Sequence, residues 1–124
     1  MTTAIQYDLN IEAETTFDES DVYFVLEADG NPIDLSGFSA EMDIRERLSS
    51  PVAALRLDTA GGGIVLNAIP GGLYMRMTRE QTAFLGQVRK NRFVYDVLLI
   101  APSGNAERII EGSIIIDHAV TRDS

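Results

Sequence analysis

Apolar and polar residues alternate one by one along much of this chain, the pattern of a strand with one face in a core and the other in water. Ile5, Tyr7, Leu9 and Ile11 alternate with Gln6, Asp8 and Asn10. Val22, Phe24 and Leu26 alternate with Tyr23, Val25 and Glu27, and Phe38, Ala40, Met42 and Ile44 alternate with Ser39, Glu41, Asp43 and Arg45. Ile64 and Leu66, then Leu73, Met75 and Met77, repeat the pattern on either side of Pro70-Gly71-Gly72. From Phe93 to Ile100 both faces of the pleat are largely apolar, which predicts a strand in the middle of a sheet. Arg108 to Val120 predicts a last strand, with Ile109, Glu111, Ser113, Ile115 and Asp117 opposite Ile110, Gly112, Ile114, Ile116 and His118.

The interruptions agree with this reading. Ala28-Asp29-Gly30-Asn31-Pro32 gathers strong turn formers and predicts a hairpin that turns the second strand back. Pro51 suits the first residue of a strand, so Val52 to Leu57 reads as a short one. Pro102-Ser103-Gly104-Asn105 is a second strong turn. Thr78 with Gln81 three residues on has the form of a capping box, which predicts a short helical turn near 79–86, with Ala83, Phe84 and Leu85 against the core and Gly86 ending it. About seven or eight short strands with one helical turn and no βαβ alternation predict an all-β fold, an antiparallel β-sandwich. The chain has 124 residues, the size of one domain, and its ends, 1–4 and 121–124, read as flexible or held by a partner.

Composition narrows the chemistry. There is no cysteine, so disulfides, zinc–thiolate sites and thiol nucleophiles are excluded. His118 is the only histidine. The formal net charge of −9 disfavours nucleic acid and anionic membranes, which need clustered Lys and Arg. The N-terminal residues carry neither a basic nor an apolar signal region, and the longest apolar run, Val97 to Ala101, is too short to span a bilayer. The expectation is a soluble chain made in a cytosol.

Candidate sites are few. Gly61-Gly62-Gly63 lacks the Gly-Lys-Ser/Thr ending of a phosphate loop and precedes a strand, so it reads as a turn. Asp18, Glu19 and Asp21 could ligate calcium or form a solvated acidic loop; they lack the spacing of an EF-hand. His118 stands without a serine elbow or an orienting partner, so no catalytic residue, cofactor or metal is assigned and the chain reads as non-enzymatic. Asp96, amid apolar neighbours, needs a partner such as Arg45 or Arg108, or else a cleft. Arg89-Lys90-Asn91-Arg92 is the one basic cluster, either a contact for an acidic patch on a neighbour or a solvated loop. The final strand, apolar on both sides, must be central or covered, since an exposed edge of that kind aggregates. The residues expected to touch neighbouring subunits are Arg89, Lys90 and Arg92, the turn Asp29, Gly30, Asn31 and Pro32, and the N-terminal Ile5 and Tyr7, which are free to pair with a neighbour's strand.

Three blocks carry a resemblance. The first is Asn31-Pro32-Ile33-Asp34-Leu35-Ser36-Gly37-Phe38 with Asp43-Ile44-Arg45-Glu46. The second is Gly62-Gly63-Ile64 with Leu73-Tyr74-Met75-Arg76-Met77-Thr78 and Gln81-Thr82. The third is Tyr95-Asp96-Val97, Ser103-Gly104, Arg108-Ile109, Glu111-Gly112 and Val120-Thr121-Arg122. Their order resembles the small immunoglobulin-like β-sandwich domains of tailed-phage virion proteins, such as the N-terminal domain of baseplate upper proteins. The resemblance implies an immunoglobulin-like fold, residence in a virion, other tail, baseplate or fibre subunits as partners, and several copies in a symmetric assembly. The sequence ends at Ser124 without a fibre or receptor-binding region, which favours an adaptor, plug or decoration role. Capsid decoration or a head-fibre base is the alternative address. A carbohydrate-binding adhesion module ranks below both, because there is no tryptophan.

Overall fold

The computed structural model describes residues 4–18, 24–47, 50, 53–87 and 92–117. Val22, Pro51-Val52, Arg89-Lys90-Asn91, Glu19 and Asp21, His118 and both chain ends lie outside the described residues.

The strands, in chain order, are β1 (Ile5–Gln6), β2 (Leu9–Glu12), β3 (Phe17–Asp18), β4 (Phe24–Val25), β5 (Glu27–Ala28), β6 (Asn31–Pro32), β7 (Ser39–Arg45), β8 (Leu55–Asp58), β9 (Ile64–Leu66), β10 (Gly72–Met77), β11 (Arg92–Ile100) and β12 (Ala106–Asp117). One helix, α1 (Arg79–Gln87), separates β10 from β11. The larger sheet runs β1-β12-β11-β7-β8, with β2 also on β12. The smaller one centres on β10, with β3 and β4 along one edge and β9 along the other. The two sheets, with one short helix between β10 and β11, make an all-β sandwich.

One continuous core fills the space between the sheets. Ala40, Met42 and Ile44 of β7, Phe93, Tyr95 and Val97 of β11, and Ile110, Ile114 and Ile116 of β12 meet Ile64 of β9 and Leu73, Met75 and Met77 of β10. Each large apolar side chain buried there stabilises the fold by about 1.5–3 kcal/mol. The alternation in β7 that the sequence displays is the alternation of burial in the structure, and β11, apolar on both faces, is central between β12 and β7, with one face buried and the other half-buried.

The Asp29-Gly30 turn closes β5 against β6, and both residues have positive φ, 54° and 81°. That pair of conformations defines the type I′ turn whose twist matches a hairpin, and Asp-Gly is the dipeptide suited to it. The capping box is present in full: the Thr78 amide donates to Gln81 Oε1 at 2.8 Å and the Gln81 amide to Thr78 Oγ1 at 3.1 Å. Helix α1 extends one residue past Gly86. Thr82, fully buried, ties it down by donating to the Thr15 carbonyl at 2.7 Å.

The structure corrects several sequence expectations. The larger sheet is mixed, since β1 and β2 both run parallel to β12, while the smaller sheet is antiparallel throughout. The N-terminal run is not one strand, because the chain steps at Tyr7-Asp8 between β1 and β2. Leu9 and Ile11 are buried as expected, but Ile5 is 41% exposed. The short strand after Pro51 is Leu55–Asp58, and Phe17–Asp18 pairs with β10 where no strand was expected. In β12 both Ile109 and Ile110 are buried, against the alternation. The register explains it: Val97 faces Ile110 while Leu98 faces Arg108, so Ile109 is the extra residue of a bulge.

The step at Tyr7-Asp8 has a physical cause. The Tyr95 hydroxyl donates to the Tyr7 carbonyl at 2.6 Å, the Tyr7 amide to Glu111 O at 3.0 Å, and the Ser113 amide to Asp8 Oδ1 at 2.9 Å. The Tyr7 backbone lies so close to Gly112 that a Cβ there would sit 2.1 Å from the Tyr7 oxygen. A glycine inside a strand marks such an approach of a second backbone.

Candidate functional site

The outer face of the larger sheet carries the densest arrangement of polar side chains. Each strand contributes one residue to a lateral row: Arg56 opposite Asp43, Asp43 opposite Asp96, Asp96 opposite Glu111, and Glu111 opposite Gln6. Directly opposed side chains on one face have Cβ atoms about 4.5–5.5 Å apart, where like charges repel. Three carboxylates therefore stand side by side, and the neighbouring arginines offset the repulsion.

Arg56 grips Asp43 with two donors, Nε at 2.6 Å and Nη2 at 3.3 Å. Arg45 reaches the same carboxylate with Nη2 at 3.1 Å while its Nη1 donates to the Ser50 carbonyl at 3.0 Å. Arg108 donates from Nε to Asp96 Oδ2 at 3.0 Å and lies 4.0 Å from Glu111 Oε1. Gln6 Nε2 donates to the other Glu111 oxygen. The Arg56 guanidinium holds the Asp43 carboxyl below its ordinary pKa of 3.8, against a smaller opposing push from burial. Over this row lies an open depression of about 660 Å³, bordered also by Val94 and Ser113. Arg45, Arg56 and Arg108 balance Asp43, Asp96 and Glu111 within the row, while Glu41 and Asp58, paired beside it on the same face, add negative charge.

The sequence singled out Asp96 and named Arg45 and Arg108 as partners. Arg108 is the partner, and Arg45 serves Asp43 instead. The row itself was hidden, because its members are scattered from Gln6 to Glu111 and become neighbours only through the register of five strands. The Asp43-x-Arg45 spacing was the one local hint, since residues two apart in a strand share a face.

The residues expected to touch other subunits are not gathered into one patch. Arg92 opens β11 and donates to Ser113 Oγ at 3.1 Å; Arg89 and Lys90 lie outside the described residues. The Asp29–Pro32 hairpin sits at the opposite end of the sandwich, beside the turn at Gly71 and the loop that meets Pro102 through Gly37. The backbone of Ile5 to Tyr7 pairs along one edge with β12 of the same chain, and β1 is the outermost strand of the larger sheet. The Tyr7 ring packs edge-on against Phe24, with centroids 4.9 Å apart. A second hollow, of about 640 Å³, opens where β11 turns into β12 and is lined by Phe38, Leu99, Ala101 and Ala106.

Asp34, just after the Asp29–Pro32 hairpin, turns its carboxylate onto Ser36. It accepts from the Ser36 amide at 3.0 Å and hydroxyl at 2.8 Å, which holds its pKa below the ordinary value. Among the described residues, no group of three or more His, Asp or Glu side chains is placed to hold a metal ion, and no helix is long and apolar enough to cross a membrane. No protein-family model matches the chain, and no characterised protein matches it in sequence.

Proposed function

We propose that this chain is a non-enzymatic assembly subunit, a rigid sandwich that binds other protein subunits through preformed surfaces. The observation that supports this best is the outer face of the larger sheet. Its polar side chains are held in place by one another, so a partner that docks there meets little further loss of side-chain freedom. Within the row the charges balance, so that strip of the face meets another acidic protein with less repulsion than the surrounding surface generates. The depression above it is broad and open, a shape that suits a protein surface better than an enclosed small molecule.

On the resemblance of the three sequence blocks, the assembly is the tail, baseplate or fibre attachment of a tailed phage, where this chain acts as an adaptor among several copies. Capsid decoration or a head-fibre base is the second address, and a carbohydrate-binding adhesion module ranks below both. The test is co-assembly. The purified chain is mixed with each structural protein encoded beside it and resolved by size exclusion with mass measurement. Co-elution that Arg108→Glu weakens supports the proposal, because that change places four carboxylates together on the face. A chain that stays apart from every neighbouring virion protein overturns it.

A further inference from the structure

The larger sheet ends on one side in β1 and β2, which follow one another along the same edge of β12. Both keep one register: Ile5 stands beside Ile110 and Leu9 beside Ile114. A strand residue directs its amide and carbonyl to one side, and successive residues alternate. The Tyr7 amide donates to the Glu111 carbonyl and the Ala13 amide to the Asp117 carbonyl. Tyr7, Leu9, Ile11 and Ala13 therefore turn their amides toward β12, and Gln6, Asn10 and Glu12 turn theirs outward. These three residues are exposed, and no strand pairs with them on the outer side among the described residues. The Glu12 carbonyl accepts from Thr15. The amides and carbonyls of Gln6 and Asn10 and the amide of Glu12 remain open to a partner.

The two sides of this edge differ in chemistry. Toward the core its rim is apolar: Ile5 is 41% exposed, and the Tyr7 ring lies edge-on against Phe24. On the outer side stand Asp8 and Glu12, with Asp117 directly opposite Glu12 on β12. Like charges so placed repel each other. Among the described residues neither Glu12 nor Asp117 has an ion-pair partner.

We infer that this edge takes up an extended segment of a partner subunit in which apolar and basic residues alternate. The segment adds a strand beside β1 and β2, bonded through the outward groups of Gln6, Asn10 and Glu12. Its apolar side chains lie over Ile5 and the Tyr7–Phe24 pair, and its lysines or arginines lie over Asp8, Glu12 and Asp117. A second copy of charge −9 meets the same acid with repulsion, so the charge that guards the edge against self-pairing selects a basic strand. The inference rests on the proposed role as an assembly subunit and names the kind of segment that binds and the surface that receives it.

The probe is a capped synthetic peptide of alternating lysine and valine, about ten residues long, enough to span β1 and β2. It is titrated into the whole chain at low salt while amide hydrogen exchange is followed residue by residue. The expected result is slowed exchange at Gln6, Asn10 and Glu12, with a Kd between about 10 μM and 1 mM that rises with salt. A glutamate–valine peptide should leave these amides unchanged. Asn10→Pro removes an outward amide and keeps the bonds of Leu9 and Ile11 to β12, a place where an edge strand tolerates proline. It should melt as the parent does and weaken the lysine peptide about tenfold or more, since the ring also blocks the incoming strand. Glu12→Lys combined with Asp117→Lys should weaken it as much by repulsion, and tests the edge even if Asn10→Pro fails to fold. A peptide that leaves the three amides unprotected, or that binds the folded variants as it binds the parent, overturns the inference. A subunit that co-elutes with the chain while these amides exchange as in the free protein also overturns it, yet leaves the assembly role standing.

Discussion

Replacing Gly112 with alanine asks what fastens the N-terminal strands to the rest of the fold. A Cβ at this position would lie 2.1 Å from the Tyr7 carbonyl oxygen, 2.8 Å from the Tyr7 carbonyl carbon and 3.0 Å from Asp8 Oδ1. Carbon and oxygen need more than about 3 Å between them, and backbone cannot swing aside as a flexible side-chain tip does. The Tyr7-Asp8 step must retreat by about 1 Å, and in doing so it stretches the bonds to the Tyr95 hydroxyl, the Glu111 carbonyl and the Ser113 amide. At about 0.5–1.5 kcal/mol per hydrogen bond, with a further penalty for the buried Tyr95 hydroxyl left without its acceptor, the loss is about 3–5 kcal/mol. The stiffer unfolded chain of the alanine variant returns only about 0.4–1 kcal/mol. Urea unfolding, supported by a melting-temperature drop on the order of 10–20 °C for a chain of this size, measures the difference. Tyr95→Phe removes one of these bonds and should cost about 1–2 kcal/mol. A Gly112→Ala variant within about 1 kcal/mol of the parent would refute the argument that close backbone contact at this glycine holds β1 and β2 in place.

Three further outcomes follow from the same structure. Thr82→Val keeps the shape of a fully buried side chain but strips the Thr15 carbonyl of its donor, and should cost about 1–3 kcal/mol in chemical denaturation. Thr78→Ala removes half of the capping box and should cost about 1 kcal/mol while leaving the strands intact by circular dichroism. The Asp43 carboxyl titrates below its ordinary value when folded, so its ion pairs contribute stability that is complete above the unfolded carboxylate pKa and is lost as pH falls through the lowered folded value. The stability gap between the parent and Asp43→Asn should therefore shrink below about pH 4; a gap that widens on acidification would contradict the assignment.

What could be read in the sequence is what short stretches of chain decide for themselves. The alternation of Ala40 to Ile44 shows its buried face directly, the Thr78–Gln81 spacing shows the helix cap, and Asp29-Gly30 shows the hairpin, because in each the interacting groups are near neighbours. Asp96 declared its need for a cation, and the candidates included Arg108. The remainder depends on contacts far apart along the chain. Alternation tells which face of β2 is buried but not that its neighbour is β12, or that the two run parallel. Ile109 and Ile110 look like residues on opposite faces until the bulge opposite Val97 brings both inward. Gly112 looks like a weak point in a strand until the Tyr7 backbone is placed against it. The carboxylate row is invisible for the same reason, since it arises from four separate strand registers.

The proposed role requires that other protein subunits cover this sandwich. Amide hydrogen exchange on the chain alone and within a particle reconstituted from the structural proteins encoded beside it tests that claim most directly. The account predicts slowed exchange in the particle along the larger sheet, at residues such as Asp43, Asp96 and Glu111, with an unchanged core. Exchange identical in the two states at every described residue would contradict it.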